Sequence, residues 1–348
     1  MAMTCPRCAR PLKKRDRTGH YAVCCPYELE PDAWAGGDRQ TVAMLLRARH
    51  DGAEWTALDA LLGLERAVDD VDAVARRAGW PRERTLGLLH TAMRTLPLPA
   101  DASVPIRVLH RDAHVLVVDK PPGYEVSPAK RLARGSMVNG AVAHVGHDVY
   151  PAHRLDRDTS GCLCFALDKA SARRLGASFQ RNLVHKEYLA VVSGDVLASQ
   201  PDLDLLTYFT VTARICEVDG DTSVRSTVQS DGCRSQEALT TMRVLGVGTS
   251  AGTSYSLLLA KPTTGRTHQI RVHCASIGHP IVADAPYKGA EHAAMPRQAL
   301  HALRLRLPHP DGAAELQSYA PPPDDLRRLC AAVGIELDAA LEEAGLAG

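Results

Sequence analysis

Aromatic side chains are scarce in this chain of 348 residues, because Phe, Trp and Tyr together make up only 4% of it. A surface that binds nucleic acid mainly by stacking bases on aromatic rings is therefore disfavoured. The formal net charge is only +1, so attraction to a polyanion must come from local basic patches and not from the field of the whole molecule. Hydrophobic residues make up 45% of the chain, which predicts a folded protein with a sizeable core.

Sequence features that define several common protein classes are also missing. No apolar run reaches the roughly 18 residues of a membrane-spanning helix, and no apolar segment typical of a secretory signal precedes the charges that begin at Arg7. GxGxxG, GxxxxGK[ST] and HExxH motifs do not occur, which argues against dinucleotide binding, P-loop and zinc-protease chemistry. Cysteines beyond the N-terminal cluster are scattered, as is typical of buried thiols in a reducing compartment. We therefore expect a cytoplasmic protein without a membrane segment.

Residues 1–36 form a separate basic segment that is rich in cysteine. A C-x2-C pair is half of a tetrahedral zinc site, because zinc takes four thiolate or imidazole ligands in structural sites. We predict a structural zinc ion here, held by Cys5, Cys8, Cys24 and either Cys25 or His20. The alternative is a flexible basic tail with free thiols.

Residues 37–100 have the apolar spacing of helices. Within them, residues 71–85 read as helix, tight turn and helix, with Gly79 and Pro81 at the turn. This pattern resembles a helix-turn-helix that contacts nucleic acid, but a plain pair of packed helices is the favoured interpretation. Residues 96–103 have the composition of a linker.

Beyond the linker, short β-branched runs alternate irregularly with helical segments, one of which is predicted over Met137–Val145. Many strands without a regular strand–helix–strand order predict an α+β fold built on a mixed sheet. We place this domain at residues 101–323 and expect a C-terminal helical tail over residues 324–348.

The stretch of this domain that could hold a reactive carboxylate in a cleft is His153–Gly161, with the sequence HRLDRDTSG. It holds one carboxylate, Asp156, between Arg154 and Arg157, and it precedes an apolar strand. Taken alone, the stretch fits a surface loop with salt bridges. A carboxylate in a cleft stays ionised when an arginine pairs with it, and it then needs no cofactor to act as a nucleophile. The candidate partners in the chain are Arg154, Arg157, Arg266 and Arg271.

Four segments in the same order resemble the RluA-type pseudouridine synthase family, over roughly residues 106–308. They are Asp119–Gly123 (DKPPG), His153–Gly161, Lys186–Ala190 (KEYLA), and Thr264–His273 (TGRTHQIRVH) with Gly278–Asp284 (GHPIVAD). The family converts uridine in RNA to pseudouridine without a metal or cofactor, by detaching the base and rejoining it through carbon. The resemblance implies a mixed, mainly antiparallel sheet with flanking helices and a central catalytic cleft.

The resemblance also assigns roles to individual residues. Asp156 matches the catalytic aspartate, and Arg154 the arginine that fills the space left by the flipped nucleotide. Tyr188 matches the tyrosine that stacks on the base and serves in proton transfer, and Arg271 the basic residue that pairs with the aspartate. Ile270 matches the apolar floor beside that pair. The remaining residues that we assign to substrate binding are Lys120, Arg157, Arg266 and His268.

Two departures from the family pattern concern the substrate. Glu125–Pro128 (EVSP) stands where a histidine-proline run is more usual, and no S4-type RNA-binding domain is apparent before the catalytic region. We expect a monomer that acts on rRNA or tRNA without a catalytic cofactor. The alternative is a catalytically inactive protein that binds or remodels RNA on the same fold.

Overall fold

The computed structural model describes residues 3–4, 11–12, 81–83, 98–128, 134–218, 221–227, 235–312 and 314–347. The predicted zinc ligands lie outside these residues, and so does the predicted helix-turn-helix apart from residues 81–83. The chain divides into two compact units, the first comprising residues 1–103 and 128–148 and the second residues 104–127 and 149–348. Among the described residues, no helix is both long enough and apolar enough to span a membrane.

In the first unit, strands β1 (Met3–Thr4) and β2 (Pro11–Leu12) pair antiparallel. Helix α1 (Met137–Val145) has the bounds that the sequence predicts. It begins with a capping box, in which the side chains of Ser136 and Asn139 each accept a hydrogen bond from the other residue's backbone N–H. Such a reciprocal cap satisfies two of the amide groups that a helix start leaves without partners.

The second unit contains an eleven-stranded sheet. Its strands in chain order are β3 (Arg107–Arg111), β4 (Val115–Lys120), β5 (Tyr150–Pro151), β6 (Ser160–Ala166), β7 (His185–Ser193), β8 (Phe209–Val218), β9 (Asp221–Ser226), β10 (Gln236–Ser250), β11 (Thr253–Pro262), β12 (Leu300–Pro308) and β13 (Glu315–Tyr319).

The order across the sheet is β3-β4-β6-β12-β7-β11-β10-β8-β9, with β13 also paired to β12 and β5 to β6. Every strand pairing among the described residues is antiparallel except that of β6 with β12. The predicted α+β fold with a mixed, mainly antiparallel sheet is thus confirmed. The parallel pair lies at the centre of the sheet, where the chain order is most interrupted.

Helices connect and flank these strands. They are α2 (Lys169–Gln180), α3 (Val196–Ser199), α4 (Gln269–Ser276), a short 3-10 helix (Ala285–Tyr287), α5 (Asp324–Ala332) and α6 (Leu337–Glu343). Helix α2 begins at Asp168, whose carboxylate accepts hydrogen bonds from the backbone N–H groups of Ala170 and Ser171. Its buried residue Leu175 packs in one hydrophobic cluster with Val115, Cys164 and other residues of β4, β6 and β12.

Burial explains why β4 and β6 read as continuous apolar runs instead of alternating ones. All seven residues of β6 are buried, and so are five of the six residues of β4. A strand that is covered on both faces has no polar side to show. β6 is therefore a rigid support for the loop that precedes it, which is the loop of Asp156.

Candidate active site

A single row of paired residues connects the Asp156 loop to the strand that carries Tyr188. Gly161 in β6 pairs with Ala302 in β12, and Ala302 pairs in turn with Tyr188 in β7. Paired strands lie about 5 Å apart, so the row sets the end of the loop two strands from Tyr188. A Cβ atom at Gly161 would lie 2.2 Å from the carbonyl oxygen of Ala302. This approach of β6 to β12 therefore requires glycine.

A buried lysine fixes the backbone of the Asp156 loop. The ammonium of Lys120 donates hydrogen bonds to the carbonyl oxygens of Pro121 at 2.9 Å, Arg157 at 2.7 Å and Thr159 at 2.8 Å. An ammonium has three protons to donate, and all three are engaged here. Burial lowers the pKa of Lys120 to about 8. We expected Lys120 to bind substrate, and the structure instead gives its head group a role in holding the loop.

Arg297 and His301 hold the same loop through its later residues. Arg297 Nη1 donates to the carbonyl oxygen of Asp158 at 2.8 Å and Nη2 to Ser160 Oγ at 3.1 Å, while Nε donates to Asp325 at 2.7 Å. Ser160 Oγ also lies 2.9 Å from His301 Nδ1. Burial lowers the pKa of His301 to about 4, so this ring is a neutral hydrogen-bonding partner. The residues that follow Asp156 therefore shape the turn.

Helix α4 places Arg271 against two carboxylates. Its Nε and Nη2 donate to the two oxygens of Asp284 at 2.8 and 2.7 Å, and its Nη1 donates to Asp156 Oδ2 at 3.2 Å. The side chain of Asp284 is 0% exposed and that of Asp156 is 19% exposed. Burial alone would lower the pKa of Arg271, but the two acids outweigh it and raise the pKa. The cation is thus permanent, and it donates a charge-assisted hydrogen bond to Asp156.

The loop that carries Asp284 has a tightly specified backbone. The amide of Gly289 donates to the carbonyl oxygen of Asp284 at 2.9 Å, and the amide of Asp284 donates to Ile281 at 3.1 Å. A Cβ atom at Gly289 would lie 1.9 Å from the carbonyl oxygen of Ile281. Ala283 has a φ of 60°, a left-handed conformation that is uncommon for a residue other than glycine. These constraints fix where the Asp284 carboxylate meets Arg271.

His268 and Tyr287 form a second contact near Asp156. His268 Nε2 lies 3.9 Å from Asp156 Oδ2, and His268 Nδ1 lies 2.9 Å from the Tyr287 hydroxyl. The Arg271 guanidinium lies over the Tyr287 ring, 5.0 Å from its centre, which is a cation–π geometry. Burial lowers the pKa of His268, and the nearby Asp156 opposes this only in part.

Asp156, His268 and Arg271 line a cleft of about 370 Å³. Tyr188 forms part of its wall, and burial together with the charge of Asp156 raises the pKa of the Tyr188 phenol. Lys186 and His153 also line it, and burial lowers the pKa of Lys186 to about 8 and that of His153 to about 4. The cleft therefore combines one carboxylate that is hydrogen-bonded to an arginine, a protonated phenol and several cations.

The structure separates the other predicted substrate-binding residues into two groups. Arg154, Arg266, His268 and Ile270 line the cleft, with both arginines exposed and Ile270 buried. Arg157 does not line it. Its Nε donates to the carbonyl oxygen of Gly123 at 3.1 Å, which ties the loop to the DKPPG turn.

Several residues of the site were missed by sequence reasoning. Asp284, Tyr287, Arg297 and His301 had no assigned role, although Asp284 ends one of the recognised segments. The signal for Asp284 was a single acid after an apolar run, and only the fold brings it to Arg271. The described part of the chain contains no cluster of three or more His, Cys, Asp or Glu side chains arranged for a metal ion.

Comparison with known proteins shows which family this chain belongs to. Residues 114–276 match the model of the RNA pseudouridylate synthase family. The chain is 33% identical to ribosomal large subunit pseudouridine synthase D of Xanthomonas campestris, over 70% of this chain and 74% of that protein. It is also 33% identical to tRNA pseudouridine synthase C of Yersinia pestis, over 59% of this chain and 82% of that protein.

A solved structure supports the same assignment. Human RNA pseudouridylate synthase domain containing 1 superposes with a TM-score of 0.51 at 27% identity, over 68% of this chain and 98% of the human chain. Residues 114–276, which match the family model, include the loop of Asp156, the strand of Tyr188 and the helix of Arg271. This chain is a member of the RluA-type RNA pseudouridine synthase family.

Proposed function

We propose that this protein isomerises uridine to pseudouridine in structured ribosomal or transfer RNA, with Asp156 as the catalytic carboxylate. The observation that carries the proposal is the 3.2 Å contact between Arg271 Nη1 and Asp156 Oδ2 in a cleft that Tyr188 also lines. The similar proteins from Xanthomonas campestris and Yersinia pestis are named for the large ribosomal subunit and for tRNA. Those names support an RNA of either kind as the substrate.

In this reaction Asp156 promotes the cleavage of the bond between C1′ of the ribose and N1 of uracil. The carboxylate either attacks C1′ and forms an ester, or removes the proton from C2′ and leaves a glycal. In both routes the electron pair of the broken bond stays on uracil, which then turns and forms a bond from C5 to C1′. In the first route the new bond displaces the carboxylate from C1′, and in the second the proton returns from Asp156 to C2′. The C5 proton is lost and N1 gains one, so atoms and charge balance without a cofactor.

Arg271 prepares the carboxylate for either route. Its Nη1 donates a charge-assisted hydrogen bond to Asp156, and its two hydrogen bonds to Asp284 hold the guanidinium in place. One oxygen of Asp156 receives the 3.2 Å contact, and the second oxygen receives no hydrogen bond from the described part of the chain. We assign the attack or the proton removal to that second oxygen.

Tyr188 supplies a flat surface and a proton. Its ring lines the cleft, and the raised pKa keeps the hydroxyl protonated. A phenol of this kind stacks on a base and donates a proton or hydrogen bond from its edge. The resemblance assigns both roles to this position, and the protonated state favours donation over abstraction.

Cations around the cleft offset the cost of removing the uridine from its stack. That cost is a few kcal/mol for a paired base. Arg154 and Arg266 are exposed at the cleft, and Lys186 adds a third charge from its wall. Contacts to phosphate groups offset part of this cost, and Arg154 occupies the position that the flipped nucleotide vacates.

We propose that the protein works as a cytoplasmic monomer with RNA as its partner.

The test combines mapping in cells with an assay on purified protein. Pseudouridine is mapped in total RNA from cells with and without the gene, and the site that disappears is transcribed as a short structured RNA. Tritium release from RNA labelled at C5 of uridine then measures turnover. The wild-type protein is expected to release tritium, and Asp156→Ala and Asp156→Asn are expected to release almost none, because an amide is neither a comparable nucleophile nor a comparable base.

Asp158→Asn is the matched control in the same loop. Asp158 contributes its backbone carbonyl to Arg297 at 2.8 Å, and an amide side chain leaves that contact in place. This variant is expected to keep its turnover. Tritium release that survives Asp156→Ala would overturn the assignment, and an inactive wild-type protein that still binds the RNA would favour a binding role instead.

A further inference from the structure

His268 is held at the edge of the cleft by a constrained turn. It precedes helix α4 with a φ of 56°, a left-handed conformation that is uncommon for histidine. The side chain of Gln269 secures this turn, since its Oε1 accepts from Thr264 Oγ1 at 2.7 Å and from the amide of Arg266 at 3.0 Å. The constrained backbone therefore fixes the position from which the His268 side chain extends to the cleft.

The two nitrogens of the His268 ring face different partners. Nδ1 lies 2.9 Å from the Tyr287 hydroxyl, within hydrogen-bond distance. Nε2 faces the cleft and lies 3.9 Å from Asp156 Oδ2, which is too long for a hydrogen bond. Nε2 is therefore available to a ligand that enters the cleft beside Asp156.

The hydrogen bonds of the Tyr287 hydroxyl determine which nitrogen of the His268 ring carries the proton. The Tyr287 oxygen accepts from the backbone N–H of Arg225 at 2.9 Å, and its other polar contact in the described part of the chain is His268 Nδ1. Burial raises the pKa of Tyr287 to about 12, so the phenol keeps its proton and needs an acceptor for it. Nδ1 is that acceptor, which leaves the imidazole proton on Nε2.

We propose that His268 is a catalytic residue whose Nε2–H donates a hydrogen bond to a carbonyl oxygen of the departing uracil, with Tyr287 as the positioning residue that holds this tautomer. This inference rests on the proposed function and deepens it. When the C1′–N1 bond breaks, the electron pair remains on N1 and spreads over the two carbonyl oxygens of uracil. A fixed donor aimed at a developing oxyanion stabilises the transition state, and no net proton transfer is involved.

The charges around the ring suit this role. The pKa of His268 is affected by the charges of Asp156, Arg271, Asp284 and Arg225. Arg271 donates hydrogen bonds to both of these acids. The guanidinium thus holds Asp156, while His268 Nε2 has no hydrogen-bond partner among the residues that the structure describes. The carboxylate on one side and the imidazole N–H on the other would meet the ribose and the base of the same nucleotide.

Nuclear magnetic resonance of the full-length protein labelled with ¹⁵N-histidine tests the tautomer without any RNA. The signals of His268 are identified by their loss in His268→Gln, among the 15 histidines of the chain. At neutral pH the expected pattern is a protonated Nε2 and an unprotonated Nδ1. In Tyr287→Phe, which keeps the ring under Arg271, the pattern is expected to shift toward mixed tautomers. A protonated Nδ1 or a doubly protonated ring in the wild type would overturn the proposal.

Kinetics on two matched RNAs test the donor role. Base detachment is measured in single turnovers with uridine or with 5-fluorouridine at the mapped position, since fluorine withdraws charge and makes the base a better leaving group. Loss of one oxyanion donor typically slows a reaction about 10²- to 10³-fold, and His268→Ala is expected to show a loss of this order on uridine and a smaller loss on 5-fluorouridine. His268→Gln, which retains an N–H donor, is expected to recover part of the rate.

Equal losses on the two RNAs would reject the donor role and leave His268 a structural part of the cleft. A wild-type protein that detaches neither base contradicts the proposed function, whereas the magnetic resonance result stands or falls independently of it. The two failures are thus distinguishable.

Discussion

Arg271 Nη1 lies 3.2 Å from Asp156 Oδ2, although the two residues are 115 positions apart in the chain. The contact joins the loop before β6 to the first turns of α4. Arg271 is in turn held by Asp284, whose buried carboxylate receives two of its N–H groups. The orientation of Asp156 therefore depends on a second acid that does not line the cleft.

We predict that Asp284→Asn weakens both the fold and the activity. Removing one partner of a buried ion pair typically costs about 3–5 kcal/mol, because the other charge stays buried. An amide retains part of the hydrogen bonding, so the expected loss in the free energy of unfolding is near the lower end, about 3 kcal/mol. Denaturant unfolding measures the stability, and tritium release measures the activity of the fraction that remains folded.

Asp338→Asn is the control for this change. Asp338 also pairs with an arginine, Arg327, but the two side chains are 72% and 39% exposed. Exposed pairs contribute about 0–1 kcal/mol, so this variant should unfold almost as the wild type does. If the two variants lose the same stability, the ion pair of Arg271 with Asp284 is not the support of the site.

Tyr188→Phe separates stacking from proton donation. The ring remains in the cleft wall and only the hydroxyl is removed, so KM for RNA should change little. Because the raised pKa of Tyr188 makes the phenol a donor, we expect kcat to fall about 10²-fold, a typical value for a lost proton-transfer group. Tyr188→Ala should lower kcat and raise KM together. Full turnover by the phenylalanine variant would reduce Tyr188 to a stacking surface.

The elements of the catalytic region could be predicted from local pattern. The expected helix at 137–145 has those bounds in the structure, and the apolar run after Gly161 is strand β6. Capping residues and apolar runs are local signals, and local signals are what a single sequence carries. Asp156, Tyr188 and Arg271 were chosen by motif resemblance, and the fold brings all three to one cleft.

The supporting residues could not be predicted in the same way. Lys120 stands in a DKPPG turn, where a lysine would be assumed to face solvent, yet it is 0% exposed. Its partners are backbone carbonyls, which leave no mark in the sequence. Arg297 likewise binds one backbone carbonyl oxygen, that of Asp158, across 139 positions. Such contacts depend on strand order, and above all on the parallel pair of β6 and β12.

The charge of Lys186 predicts how RNA binding depends on pH. Its pKa in the folded protein is about 8, so the ammonium is charged below that pH and neutral above it. RNA affinity should therefore fall as the pH rises through about 8. Lys186→Met should bind RNA more weakly at pH 7 and lose this part of the pH dependence. If the lysine contacts one phosphate, the slope of log affinity against log salt should fall by about 0.7–0.9.

The lowered pKa of Lys186 also makes the stability of the folded protein depend on pH. The unfolded chain keeps a lysine pKa near 10.4, so between pH 8 and that value the unfolded state binds more protons than the folded state. The contribution of Lys186 to the free energy of unfolding should rise with pH in this window. Lys120 titrates in the same range, so the difference between wild type and Lys186→Met isolates one group. Lys169→Met, at an exposed position, should leave both pH profiles unchanged.

The N-terminal cysteines predict one zinc ion per chain. Elemental analysis of the purified protein measures it, and the double variant Cys5→Ser with Cys8→Ser should lose the metal, since two of four ligands are removed. Catalysis on a short RNA should persist, because the cleft needs no metal in the proposed mechanism. RNA affinity and its salt dependence should weaken if the zinc orders the basic residues around it. Metal content that the double variant retains would reject these ligands.

Gly161→Ala tests whether the close approach of β6 to β12 positions the site. Gly161 has a φ of 111°, and a Cβ there would lie 2.2 Å from the backbone of Ala302. Gly278→Ala is the matched control, because its φ is 81° and its Cβ would meet nothing within 4 Å. The left-handed conformation alone costs alanine about 1–2 kcal/mol, so the control gives that part of the loss.

The excess loss in Gly161→Ala measures the clash. Backbone atoms cannot rotate away as a side chain can, so β6 must move from β12 and carry the Asp156 loop with it. We expect Gly161→Ala to lose more stability than Gly278→Ala and to lower turnover in the protein that still folds, since a displacement of about 1 Å in a catalytic group costs about 10²-fold. Equal stability and equal turnover in the two variants would mean that the strand pairing adjusts freely, and that Lys120 and Arg297 alone set the position of Asp156.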